Sequence, residues 1–223
     1  MLSGPRSTSS NETPPLKAPF TKLLPLAWLN VALHAAGLAA AWIGLRQGSV
    51  MVPLTERMAY LASRPPAWIW GWGIWMLCAL VLVVFMAALR RRLPGDSLLA
   101  QLALVFTVAG MAVDLVCDIV QIRALPEAAQ AEPAVFLAFE GVAFTGGLTV
   151  ANGLYTAGLL LMNLSLRDLA GASTRWAGWV TVVSGFTLAI AGFLPSPVLL
   201  QAATGMTILL YCLWTVRVAR DLR

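Results

Sequence analysis

The sequence predicts an all-α, polytopic integral membrane protein of six transmembrane helices with short loops and both termini cytoplasmic. Three observations carry this expectation. Of 223 residues, 59% are hydrophobic and only 11% charged, less than half the roughly 25% charge of an average soluble domain. With a mean hydropathy of +0.79, too little polar surface exists to cover a water-soluble fold. The apolar residues gather into runs of about twenty or more, the length that crosses a hydrocarbon core about 30 Å thick. Lys and Arg stand at the ends of those runs and are unequally shared between the two sides.

Residues 1–19, rich in Ser, Pro, Thr and Gly, bury too little to offset the cost of ordering and are expected to form a disordered cytoplasmic tail. No cleavable signal peptide is expected in them, and the first span is expected to stay in the mature protein. Residues 20–223 then read as a single six-helix domain. Span 1 is the uncharged run Leu23 to Leu45. Span 2, residues 67–89, lies between Arg64-Pro65-Pro66 and Arg90-Arg91-Arg92, which are strong boundary signals. Span 3, residues 98–122, follows the turn residues Pro94-Gly95-Asp96 and contains Gln101, Asp114, Asp118 and Gln121.

The stretch Pro133 to Leu166 has one charge, Glu140, and exceeds one perpendicular crossing, so span 4 is placed at 137–163 and tilted. Its glycines, with Gly147-x-x-x-Ala151 at close-packing spacing, make it the expected most buried helix. Trp176 to Val216 holds no charge but is about twice the length a membrane needs. Pro195-Ser196-Pro197 divides it into spans 5 (176–194) and 6 (197–216), because two prolines disrupt a lipid-facing helix. In the loop between spans 1 and 2, Leu54, Met58 and Leu61 recur at helical spacing, which predicts a short helix on the outer surface.

With the N-terminus inside, Arg6, Lys17, Lys22, Arg90, Arg91, Arg92, Arg167, Arg175, Arg217, Arg220 and Arg223 are cytoplasmic, and Arg46, Arg57, Arg64 and Arg123 are outside. This 11 to 4 division of the 15 basic residues predicts a cell (inner or plasma) membrane protein with both ends in the cytoplasm. It also assigns the +5 net charge to orientation in the lipid bilayer, with no nucleic-acid partner. Cys78, Cys117 and Cys212 lie in separate apolar runs without a Cys-x-x-Cys pair and read as core residues. The single histidine rules out bis-histidine haem and three-histidine zinc sites within one chain. Both lysines precede span 1, which rules out a retinal Schiff base. No cofactor and no metal are expected.

The candidate site residues are those whose burial in lipid is expensive. Asp114 and Asp118, four apart on one face of span 3 with Gly110 and Gln121, and Glu140 of span 4 all fall toward the outer half of the bilayer. Asp114 and at least one of Asp118 and Glu140 are expected to share an outward-facing polar pocket for a cation, a proton or a small ligand, with one carboxyl neutral. The bland alternative leaves Asp118 and Glu140 at the water interface, paired with Arg57, Arg64 or Arg123. His34 and Asn30 share a face of span 1, either orienting a ligand or making an interhelical hydrogen bond. Trp68, Trp72 and Trp75 share a face of span 2, with Trp72 a candidate stacking wall and an aromatic belt the alternative. Tyr155 and Asn152 are placed deeper in the same cavity. Gln201, Thr204 and Tyr211 of span 6 read as packing contacts.

The functional expectation is small-molecule or ion binding and transport, with a membrane partner subunit or a second copy docking along Ala32, Ala36 and Ala40. The alternatives are a membrane-embedded lipid-modifying enzyme using the acids and His34, and a non-catalytic sensor or assembly protein. No nucleophile or metal motif favours the enzyme.

Overall fold

The computed structural model describes residues 22–95, 97–194 and 196–223; the expected tail at 1–19 lies outside them, as do Asp96 and Pro195. Of the described residues 84% are helical, and none of them is in a strand. Seven helices are labelled in order: α1 (Leu23–Gly48), α2 (Leu54–Ala62), α3 (Pro66–Arg90), α4 (Leu98–Ala128), α5 (Pro133–Ser165), α6 (Ala172–Ala191) and α7 (Pro197–Asp221).

The helix starts follow local chemistry. Pro66, Pro133 and Pro197 occupy the first turn of α3, α5 and α7, where the missing N–H costs nothing and the fixed φ is helical. Ser97 caps α4 by accepting from the Ala100 amide, and Ser196 caps α7 by accepting from the Leu199 amide. Three helices contain π-helical turns, at Ala41–Leu45 in α1, Val120–Ala124 in α4 and Thr145–Ala151 in α5. Each widens the helix by one residue per turn and re-aims the side chains beyond it.

Among the described residues five helices, α1, α3, α4, α5 and α7, are long and apolar enough to cross a membrane. The sixth long helix, α6, has 20 residues and so spans about 30 Å, but Arg175, Thr174, Thr181, Ser184 and Thr187 lower its apolarity. The expectation of six spans is therefore met by five helices on this measure. The fold is that of a helical membrane protein.

Each of the six long helices packs on its sequence neighbours, and α1 closes against α7, so the helices form a ring. Leu23 at the start of α1 and Ala219 near the end of α7 share one core cluster with Phe85, Met86, Leu89, Met162 and Trp214. This end of the bundle, the terminal end, is filled by large apolar side chains. At the opposite end α2 lies across the ring, and its Leu61 packs with Leu45, Trp68, Leu125 and Phe136. Outward-facing side chains are apolar: Ile43 is 82% and Val198 71% exposed, as suits contact with lipid. Exposed Trp42 and Trp70 mark the α2 end, and Trp28, Trp176 and Trp179 the terminal end, two belts at the levels where indole favours a membrane interface.

Two packing expectations are corrected. The most buried of the five apolar helices is α3, with 39% of its apolar window inside against 28% for α5. The reason is size: Trp68, Phe85, Met86 and Leu89 of α3 fill the bundle, whereas the α5 glycines only permit approach. The tightest α4–α5 contact is also not at Gly147, whose added Cβ would meet Asp114 and Cys117 at an ordinary 3.6 Å. Two other glycines lie closer: at Gly146 a Cβ would run into the Cys117 thiol, and at Gly158, the closest backbone approach, it would stand 2.8 Å from the Ala103 carbonyl and 2.6 Å from Thr107 Oγ1. There the two backbones touch.

Candidate functional site

Between the apolar core of the terminal end and the α2 cap lies a polar layer. The i, i+4 spacing turns Asp114 and Asp118 toward the same side of α4, and that side faces the ring's interior. Tyr155 of α5 donates from its hydroxyl to Asp114 Oδ2 at 3.1 Å. Gly110, one turn before Asp114, makes room for the Tyr155 ring: a Cβ there would stand 2.9 Å from it. Asp118 is only 2% exposed, and its Oδ2 has no hydrogen-bond partner among the described residues. Neither carboxyl is paired with an Arg or Lys among the described residues.

Further side chains converge on the same layer. Cys78 of α3 lies within electrostatic reach of Asp114, Asp118 and Cys212, and Tyr155 within reach of both acids and Tyr211. Asn30 is fully buried with both amide atoms unpartnered, and the equally unpartnered Tyr211 hydroxyl lies beside it, outside hydrogen-bonding geometry. His34 Nδ1 is 2.8 Å from the Asn30 carbonyl. A carbonyl only accepts, so Nδ1 carries the proton and donates. Nε2 is left to other partners, and the ring meets Tyr211 at 5.3 Å and Trp75 edge-on at 6.4 Å.

The remaining sequence candidates lie elsewhere or are already engaged. Glu140 is gripped by Arg57 of α2, which donates from Nε to Oε1 at 2.9 Å and from Nη2 to Oε2 at 2.8 Å. Arg57 Nη1 donates to the Val52 carbonyl at 2.8 Å, and its guanidinium stands 5.9 Å from the Phe136 ring centroid. This is the pairing with Arg57 that the bland reading of Glu140 entails. Asn152 donates to the Gly147 carbonyl at 3.0 Å, stitching the π-helical turn of its own helix. Trp72 packs edge-on against Trp68 at 5.6 Å and leaves its indole N–H buried and unpartnered. Trp68 donates its own indole N–H to the Gln121 carbonyl at 2.7 Å.

The arrangement thus brings together Asp114, Asp118, Tyr155, Asn30 and His34. Tyr211, Trp75 and Cys78 join them without having stood among the candidates. A hydroxyl or thiol in an apolar run has no local signal, and only the ring closure of α7 on α1 places Tyr211 beside Asn30. Chemically, the layer offers two unpaired carboxyls, unsatisfied hydroxyl and amide groups, and aromatic faces. These are groups that hold a cation or a hydrogen-bonding cationic ligand. Among the described residues no three His, Cys, Asp or Glu side chains are disposed to hold a metal ion. No family model, curated protein or solved structure matches this chain.

Proposed function

We propose that the chain is a six-span membrane protein that binds a small cation or a small cationic ligand in this polar layer, as the capture step of transport. The observation that carries the reading is the pair Asp114 and Asp118. Two carboxyls on one helix face turn into a membrane bundle without a basic partner among the described residues, and one keeps an unpartnered buried oxygen. Groups of this kind are expensive in a bilayer interior, and their retention points to a ligand that offsets the cost. Asn30, Tyr211 and His34 supply the polar groups that orient such a ligand. The packed apolar core closes the layer at the terminal end and α2 caps it at the other, so in this reading a ligand enters past α2.

In this reading α6 is the sixth span, its hydroxyl groups tolerated because Thr181 and Thr187 donate to carbonyls one turn back in the same helix. The terminal end is cytoplasmic, since nine of the basic side chains in the described residues stand there against four at the α2 end. The membrane is the cell membrane. The test is the thermal unfolding of detergent-solubilised protein in a panel of alkali, alkaline-earth and organic ammonium chlorides. At least one cation should raise the midpoint of the wild type and not that of Asp118→Asn. A panel in which no cation distinguishes the two proteins would refute the reading.

A further inference from the structure

Away from the polar layer, at the α2 end, a cavity of about 220 Å³ opens to the surface between α3 and α4, lined by Arg64, Ile69, Ile122, Arg123 and Glu127. Two departures from regular backbone meet in it. Arg64 is the one non-glycine among the described residues with a left-handed backbone, at φ 50°, a conformation that costs an ordinary residue of order 1 kcal/mol or more. Arg123 sits in the π-helical turn Val120–Ala124 of α4, which shifts it relative to an uninterrupted helix. Each irregularity falls at an arginine that lines the same cavity.

These guanidiniums are available. Arg123 makes no hydrogen bond or ion pair among the described residues. Arg64 has a single contact, to Glu127 at 3.5 Å, with both side chains more than half exposed. The contrast is a cavity of about 160 Å³ at the terminal end, lined by Ala172, Arg175, Trp176 and Trp179. There Arg175 donates to the Arg167 and Ala170 carbonyls and is already committed.

We propose that the Arg64–Arg123 cavity binds the phosphate of a membrane phospholipid headgroup. Two arginines lining one space suit an oxyanion with two free oxygens. Two arginines and one glutamate leave one net positive charge, which complements the single negative charge of a phosphodiester. The volume holds such a group with several waters, at about 30 Å³ each. Ile69 and Ile122 provide an apolar wall for the glycerol and first acyl carbons. The neighbouring Trp70 is 74% exposed, as an indole at headgroup level is. The site is independent of the cation reading, since it shares no residue with the polar layer.

The experiment uses delipidated full-length protein in detergent, titrated separately with dioleoyl phosphatidylglycerol, dioleoylglycerol and inorganic phosphate. Bound lipid is counted by native mass spectrometry, with thermal unfolding as a second readout. The phospholipid should bind and stabilise, and dioleoylglycerol, which lacks the phosphate, should not. Arg123→Gln, at an exposed position, should weaken phospholipid binding about ten-fold, the loss of one charge-assisted contact. Arg64→Gly suits the left-handed backbone, so it should leave the lipid-free protein at least as stable while also binding phospholipid about ten-fold more weakly. Equal binding of dioleoylglycerol and phospholipid, or unchanged phospholipid binding in both variants, would overturn the proposal. Saturation by inorganic phosphate that leaves no further effect of phospholipid would overturn the lipid assignment.

Discussion

Arg57 and Glu140, 83 positions apart, close a bidentate ion pair at 2.9 and 2.8 Å with both side chains buried. The pair joins α2 to α5 and, through the Val52 carbonyl, to the preceding loop. It also divides the three membrane-level acids by chemistry: Glu140 has a cation to itself, whereas Asp114 has a tyrosine hydroxyl and Asp118 an unpartnered oxygen.

Removing one member of the pair should cost far more than removing both. Glu140→Gln strands a buried guanidinium and is expected to destabilise the fold by about 3 kcal/mol, whereas Arg57→Met with Glu140→Leu should recover most of that loss. Thermal or denaturant unfolding of the three proteins checks this. A double variant as unstable as the single one would show that the Arg57–Val52 contact, and not the ion pair, holds α2 in place.

The α4–α5 contact predicts an ordering of glycine substitutions. Gly158→Leu pushes against the Ala103 backbone and should cost about 1–3 kcal/mol or more. Gly141→Ala, with open space around its added Cβ, should change stability little and gain slightly in helix propensity. Equal melting temperatures for the two variants would mean that α4 and α5 separate easily.

Topology is read by cysteine accessibility. With the terminal end cytoplasmic, Ser196→Cys at the α6–α7 connection should react with an impermeant maleimide on intact cells, and Asp168→Cys only after permeabilisation. Cys78 and Cys117 are buried and Cys212 half-buried, so the native thiols contribute little background. The reverse pattern would invert the orientation drawn from the basic residues.

Much of the fold was legible from the sequence because lipid imposes simple rules. Apolar run length located the long helices, prolines marked three of their starts, and the Leu54, Met58, Leu61 spacing marked α2. The i, i+4 spacing likewise put Asp114 and Asp118 on one face. The π-helical turns were not legible, since an extra residue in a turn leaves no compositional trace in runs such as Thr145–Ala151. Long-range partners were equally hidden: the sequence offered Arg57, Arg64 and Arg123 alike to Glu140, and nothing local joined Tyr211 to Asn30. The importance of Gly147 was overestimated for a related reason, because spacing shows where helices can touch and only packing shows where they do.

Tyr155 offers a separate handle on the polar layer. Tyr155→Phe removes the hydroxyl that donates to Asp114 and should lower stability by about 1.5–3 kcal/mol, the usual worth of a hydrogen bond to a charged group. Any cation that stabilises the wild type should then stabilise the variant by more, because it takes over the lost contact. A variant as stable as the wild type with an unchanged cation response would place the hydroxyl outside the site.

The most direct test of the central claim is the Asp118→Asn variant, measured for stability without added cation and for the shift each cation produces. If Asp118 is kept for a ligand, replacing its unpartnered buried carboxyl should stabilise the ligand-free protein by about 1 kcal/mol. The same change should abolish the cation-induced rise in the unfolding midpoint, while Glu127→Gln, an exposed charge change, leaves that rise intact. A ligand-free Asp118→Asn protein less stable than the wild type, with every cation response preserved, would contradict the account and make the polar layer a packing device.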